Sequence, residues 1–331
     1  MKQGASSMKS WHKLLAAGCL ALPLLLSACG SADEASGNKT ENSASSESDP
    51  NRSTSSQSEV KSVQTVNGEI EIPAHPLRIV AEEYLGSLIP LEVIPVGAPG
   101  LTLNNVYFKE ALKGVADTGD YGKMNLERIL DLNPDLILSA NNDNYAQLSK
   151  IAPTVVVPWG NLKNAHEELT YFGELLDKRE KAAAWLQSYD ERIAAARARV
   201  EQAIPAEASF SILEVTDKSI FVYGDNFGRG GQPVYQALGR KAPEKVAAEI
   251  MEKQWAEISA EKLPDYAGDY LVITSNNLTL EDLRQDPMWG TLPAIKNGQV
   301  YVWKEERSWY YDPVAVLSQT EELAAWLAPA V

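Results

Sequence analysis

Short runs rich in aliphatic and β-branched residues recur along most of the chain: RIVAEE, EVIPVGA, DLILSA and TVVVPW between residues 78 and 159, then FSILEVT, SIFVYG, DYLVITS and QVYVWK between residues 210 and 304. Runs this short and this apolar predict strands, and helical patterns between them predict βαβ units in two sets. Between the sets, residues 178–204 contain neither Gly nor Pro, and Trp185, Tyr189, Ile193, Ala196 and Val200 fall at helical spacing. A helix of that length is roughly 39 Å long, enough to run from one lobe to another. The predicted fold is α/β: two lobes, each a mostly parallel sheet with flanking helices, joined by one long connecting helix, with a cleft between the lobes.

A weak internal repeat supports two lobes. LERILDLNPDLILSANN, from Leu126, lies over AEKLPDYAGDYLVITSN, from Ala260, and matches Glu127 with Glu261, Asp131 with Asp265, Asp135 with Asp269 and Asn142 with Asn276. Both segments read as a helix opening with Glu, a tight turn, an apolar strand and a polar loop. In parallel α/β sheets ligands bind outside the carboxyl ends of the strands, the end at which antiparallel helices begin. Glu127 and Glu261 thus fall on the ligand-side face of their lobes, flanking the cleft mouth. Either is equally suited to a helix first turn on dipole grounds, with Asn125 and Ser259 as N-caps.

One glycine-rich segment stands out. NFGRGGQ, residues 226–232, lies between strand-like SIFVYG and helix-like VYQALG, where α/β proteins hold phosphates. It matches neither the P-loop nor the G-x-G-x-x-G pattern, so a nucleotide is not expected. Its glycines read as clearance for a bulky ligand and Arg229 as a cation facing the cleft.

Composition adds where the chain works. Residues 1–28 have basic Lys9 and Lys13, an apolar run from Leu14 to Leu26 too short to span a bilayer, and small residues at the exit, the marks of a secretory signal. Translation from Met1 or from Met8 fits this pattern. Residues 29–62 are rich in Ser, Asn and acids with almost nothing to bury and are expected to form a disordered tether. The domain reading then runs 63–177 for the first lobe, 178–204 for the connecting helix and 205–331 for the second lobe. Without Lys2, Lys9 and Lys13, 27 basic residues face 45 acidic ones, a net charge of about −18. So acidic a body excludes nucleic acid and requires any anion site to be a local basic pocket. Cys29 is the only cysteine left after cleavage, which leaves no disulfide and no thiolate-ligated zinc.

The signal ending in Leu26-Ser27-Ala28-Cys29, the run NLERILDLNPDLIL, the single long helix and the later WAEISAEKL together resemble the bacterial siderophore-binding lipoproteins, in the iron-complex and cobalamin class of ABC-transporter substrate-binding proteins. The resemblance implies a lipidated Cys29 on the outer face of the cell membrane, a ferric siderophore in the cleft, and an ABC permease as partner. It also implies docking on that permease through Glu127 and Glu261. The long Ser-rich tether suits a Gram-positive surface, and a tethered receptor is expected to be a monomer. The iron is cargo whose ligands come from the siderophore, so no cofactor and no direct metal site are expected. Bulky, often anionic iron complexes call for Arg or Lys donors and aromatic walls. The candidates on strand-end loops are Arg229, Arg307, Lys253, Lys123 and Gln254, with Tyr84, Trp159, Trp309 and Tyr310 as walls. Glu82 and Glu83 depart from this pattern.

Catalysis is not expected: the mature chain has only His75 and His166, neither with a recognisable partner, and no G-x-S-x-G elbow. Two dispersed histidines do not make a site for bare zinc or manganese. Haem, held by Tyr310 or Tyr311, and cobalamin are the alternative cargoes, and a non-transport surface lipoprotein is the alternative role.

Overall fold

The computed structural model describes residues 59–329. The expected leader, Cys29 and nearly all of the expected tether lie outside the described residues. The folded body begins before residue 63: β1 (Val60–Thr65) pairs antiparallel with β2 (Gly68–Pro73). Val66-Asn67 make the two-residue turn, and Gly68, paired with Thr65, takes φ +98°, a left-handed position that glycine fills without a steric penalty. The hairpin's Ile72 is fully buried.

The first lobe is built on β3 (Ile79–Ala81), β4 (Gly97–Ala98) and β5 (Ala116–Asp117), a small hairpin of β6 (Gly119–Asp120) and β7 (Lys123–Met124), then β8 (Leu136–Ser139) and β9 (Thr154–Val156). Its sheet has the order β5-β4-β3-β8-β9 and is parallel throughout. The second lobe contains β10 (Phe210–Val215), β11 (Ile220–Tyr223), β12 (Trp255–Ile258), β13 (Tyr270–Thr274) and β14 (Val300–Trp303), in the order β12-β11-β10-β13-β14. β10, β13 and β14 are parallel, whereas β11 and β12 each run antiparallel to their neighbour. The turn from Thr216 to Ser219 is too short for a parallel crossover, so β10 and β11 close as a hairpin. Two antiparallel steps leave β12 parallel to β10, so Ser259 leaves the sheet at the same end as Val215 and Thr274.

The internal repeat has a physical counterpart. Asp135, just before β8, accepts hydrogen bonds from the backbone N–H groups of Leu77 (2.8 Å) and Arg78 (2.9 Å), just before β3. Asp269, just before β13, accepts from Ser209 N–H at 2.8 Å, just before β10. In each lobe one carboxylate ties together the starts of two adjacent parallel strands. The caps differ: Asn125 Oδ1 accepts from Arg128 N at 3.0 Å, but the Ser259 side chain makes no cap and a 3₁₀ turn, Ala260–Lys262, replaces the expected helix start.

The connecting helix spans Arg179–Ala203. Tyr189, Ile193, Ala196 and Val200 are buried along the expected seam, and Trp185 stacks on Tyr189 with ring centroids 5.3 Å apart. The C-terminal helix, Pro313–Leu327, packs along it. Its N-cap, Asp312, accepts from Ala315 N at 2.9 Å and from first-lobe Asn105 Nδ2 at 3.1 Å. First-lobe Tyr107 donates its hydroxyl to the Arg307 carbonyl at 2.8 Å. These bonds hold the lobes at the start of the C-terminal helix, beside the cleft.

Candidate functional site

Between the lobes lies a cavity of about 160 Å³. Glu83, Tyr84, Leu101, Trp159, Leu162 and Glu168 line it from the first lobe, and Arg229, Trp309, Tyr310, Tyr311 and Asp312 from the second. Two larger hollows, about 570 Å³ beside the N-terminal hairpin and about 700 Å³ beside the β10–β11 turn, are open depressions without this aromatic wall. Tyr84 sits at φ +70° where β3 gives way to the helical turn Leu85–Leu88, and its hydroxyl donates to the Val157 carbonyl at 2.7 Å. Trp159, three residues past β9, reaches across to Phe227 (5.0 Å between ring centroids) and Tyr311 (6.1 Å), edge to face in both cases.

Arg229 does line the cavity, but its charge is already matched. The Glu214 carboxylate on β10 accepts from Arg229 Nε (3.3 Å), from Trp309 Nε1 (3.2 Å) and from the Tyr223 hydroxyl. The guanidinium lies 4.6 Å from the Trp309 ring, 5.0 Å from Tyr223 and 5.7 Å from Phe227. Aromatic faces on this scale add cation–π attraction to the ion pair. Arg229 holds φ +58°, a conformation that a non-glycine residue adopts only where its surroundings enforce it. Glu214, Tyr223 and Phe227 are absent from the sequence candidates, because a Glu inside an apolar strand gives no sign of the arginine it will meet.

The glycines of NFGRGGQ serve the protein's own packing rather than ligand clearance. A Cβ on Gly228 would stand 2.5 Å from the Trp309 carbonyl oxygen, one on Gly230 would stand 2.7 Å from the Trp303 ring, and one on Gly231 would stand 2.1 Å from the Gly224 carbonyl oxygen. Since β11 is antiparallel, the loop leaves the sheet at the end opposite the carboxyl ends of β10 and β13, and folds back over Val272 and Trp303. Four of its N–H groups are also engaged: Asn226 with Gln254 Oε1 (2.6 Å), Gly228 with Gln232 Oε1 (3.1 Å), Arg229 with the Ser308 carbonyl (2.7 Å) and Gly231 with the Gly228 carbonyl (2.9 Å). Those four are not available to an anion.

The acids that do face the cavity are strongly desolvated. Burial pushes Glu83 up to about 7, Glu168 to about 8 and Asp312 to about 6; neighbouring carboxylates add to the shift of Glu83 and Glu168, while hydrogen bonds to Asp312 hold its shift down. Of the unexplained pair, Glu82 is structural: it accepts from Ser139 Oγ and from Gly122 N at 3.1 Å, pinning the β6–β7 hairpin to the main sheet.

Arg229, Tyr84, Trp159, Trp309 and Tyr310 are thus brought together, and the other candidates are not. Arg307 pairs with Glu322 (Nε–Oε1 3.3 Å) and lies over the Tyr107 ring at 5.3 Å. Gln254, at φ +69°, donates to Asp225 Oδ1 at 2.9 Å and accepts from Asn226, so its amide serves the turn leading into NFGRGGQ. Lys253 and Lys123 are exposed and outside the cavity lining. Glu127 and Glu261 are exposed and, among the described residues, have no ion-pair partner.

Two lobes on parallel sheets, a rigid helix between them and an enclosed aromatic cavity define a binding protein. The chain belongs to the periplasmic binding protein family, whose model matches residues 80–307, a family of non-enzymatic ligand-binding components of ABC transporters. It is similar to the iron(3+)-hydroxamate-binding protein YxeB of Bacillus subtilis, 36% identical over 81% of this chain and 85% of that protein. It is also similar to the iron(3+)-hydroxamate-binding protein FhuD of the same organism, 34% identical over 94% and 96% of the two chains. Among solved structures, Staphylococcus aureus FhuD2 with bound ferrioxamine B superposes with a TM-score of 0.69 at 30% identity, covering 76% of this chain and 98% of that one.

Proposed function

We propose that this chain is the extracytoplasmic receptor of an ABC importer that captures a ferric siderophore of the hydroxamate class and presents it to the permease. The observation that carries this reading is the aromatic-walled cavity enclosed between the lobes. Its local charge favours hydroxamates over catecholate or citrate complexes: Arg229 is neutralised by Glu214, and the carboxyl groups of the lining, Glu83, Glu168 and Asp312, offer no cation to an anionic iron centre. The named relatives bind iron hydroxamates, which supports the same choice. The iron stays within its siderophore and undergoes no reaction on the protein.

In this reading Cys29 is lipidated, residues 29–59 tether the body to the outer face of a Gram-positive membrane, and the receptor works as a monomer. Glu127 and Glu261, one per lobe and without an ion-pair partner among the described residues, meet basic residues of the permease. Tryptophan fluorescence titration with ferric hydroxamate, catecholate, citrate and haem ligands tests the proposal, since Trp159 and Trp309 line the cavity. Quenching by hydroxamates at submicromolar concentration is expected. Absence of binding by any of the panel at micromolar concentration would overturn it.

A further inference from the structure

We infer that, on the receptor reading just given, the ligand carries a positive charge outside its iron centre and that Glu83 and Glu168 are the groups that select it. The starting observation is an imbalance of acids and bases. Four ionisable Glu, Asp or Arg side chains line the cavity, and three are acids: Glu83, Glu168 and Asp312. The one base, Arg229, is held by Glu214. Asp312 has a structural task as cap of the C-terminal helix and acceptor from Asn105.

Glu83 meets the Tyr84 N–H and the Tyr121 hydroxyl, and Glu168 has no comparable task. Glu168 is 6% exposed; Ser87 Oγ donates to its Oε2, while its Oε1 accepts no hydrogen bond from the described residues. Placing a carboxylate oxygen in an aromatic cavity without a donor is unfavourable, and an apolar side chain there would stabilise the fold more. Glu168 lines the cavity, so a ligand held there would meet its carboxyl group. Among the described residues no three His, Cys, Asp or Glu side chains converge to hold a metal ion. The acids therefore suit an organic cation, such as an ammonium with its three donors. Tyr84, Trp159 and Tyr311 around them offer π faces to the same charge.

Size points the same way. A cavity of about 160 Å³ is below the roughly 300 Å³ at which drug-sized sites begin, so it cannot enclose a whole iron complex. It can take a short alkyl arm ending in an amine.

The test compares two ligands with one iron centre: a linear ferric trihydroxamate with a terminal primary amine, and the same compound with that amine acetylated. On the full chain the amine form should bind at least about tenfold more tightly, as expected for a desolvated charge-assisted hydrogen bond. In Glu83→Gln/Glu168→Gln the ratio should fall to within about twofold; a merely structural role would shift both ligands together and leave the ratio intact. Glu83→Gln alone, at the less buried acid, should lower the ratio partway and serves where the double variant does not fold. Equal affinities on the unaltered chain, or an unchanged ratio in the variants, would overturn the inference while leaving the receptor reading in place. If neither compound binds, the receptor reading falls and the inference with it.

Discussion

Trp159, carried by the first lobe, meets Phe227, carried by the second, edge to face with ring centroids 5.0 Å apart. The pair bridges the two lobes at Trp159, which lines the cavity. An aromatic pair of this kind contributes only about 0.5–1.5 kcal/mol beyond its buried area, so an entering ligand that offers its own surface to Trp159 can displace it. Because the lobes are also held by Tyr107–Arg307 and Asn105–Asp312, the opening involves the Trp159 loop more than a wide hinge. Trp159→Ala should raise the ligand dissociation rate about fivefold, the factor that about 1 kcal/mol represents, and stopped-flow displacement would measure it. An unchanged off-rate would remove the latch.

Arg229 and Glu214 make a buried pair, with side chains 13% and 7% exposed. Truncating the arginine leaves the carboxylate buried without its counter-charge, at a cost of about 3–5 kcal/mol. Arg229→Ala should therefore weaken the fold as well as the binding, contrary to the sequence-based expectation of a cation free to serve the ligand. Since Arg229 holds φ +58°, Arg229→Gly should be about 1 kcal/mol more stable than Arg229→Ala. Urea midpoints of the two variants check this; equal midpoints would mean that the left-handed backbone relaxes.

Gly228 and Gly160 form a matched pair for testing the role of the glycine-rich loop. Both have positive φ, +73° and +78°, but a Cβ would meet the Trp309 carbonyl 2.5 Å away at Gly228 and nothing within 4 Å at Gly160. Gly160→Ala should cost about 1–2 kcal/mol from the backbone alone, and Gly228→Ala a further 1–3 kcal/mol from the clash. Gly228→Ala should also displace Trp309 and lower ligand affinity. Equal stability losses would show that the Trp309 segment gives way.

Glu127 and Glu261 stand outside the cavity, so their replacement separates capture from delivery. Glu127→Ala/Glu261→Ala should leave ligand affinity within about twofold and stability nearly unchanged, as for most exposed substitutions. Iron uptake through the importer should nevertheless fall. Undiminished uptake by cells carrying the double variant would end the docking assignment.

The strands, the connecting helix and the repeat were legible because each rests on local periodicity: apolar runs for β3, β8, β10 and β13, and a three-and-four seam for residues 179–203. The paired Asp135 and Asp269 show how much a few aligned acids can carry. What the pattern did not disclose was direction and partnership. SIFVYG reads as a strand either way, and only the shortness of the Thr216–Ser219 turn makes β11 antiparallel and sends NFGRGGQ back over the sheet. Arg229, Arg307 and Gln254 read alike as loop-borne donors; whether each faces a ligand depends on Glu214, Glu322 and Asp225, which lie 15 to 29 residues away. Glu168 reads as an ordinary first-turn acid of the helix Ala165–Leu175, and nothing local marks it as buried.

That burial gives the cavity a pH dependence of definite sign. Glu83, Glu168 and Asp312 titrate at about 7, 8 and 6 in the folded chain against ordinary values of 4.5, 4.5 and 3.8. The groups facing them are Glu82, Tyr84, Tyr121, Glu167, Tyr310, Tyr311 and Arg229, of which only Arg229 is cationic, and it is paired. Between these limits the folded chain holds protons that the unfolded chain has released, so its stability falls with rising pH. The contribution is complete below about pH 4 and is lost through the interval up to about pH 8. Close acids titrate as a set, so the useful comparison is between proteins. Between pH 5 and pH 8, Glu83→Gln/Glu168→Gln should lose less stability in urea than the unaltered chain. A bound ammonium would reverse the shift, releasing protons on binding and strengthening affinity as pH rises through 6 to 8, whereas the acetylated ligand would do neither. Calorimetric titration in buffers of different ionisation enthalpy reads that proton release directly, and equal release by both ligands would separate the carboxylates from the charge they are inferred to recognise.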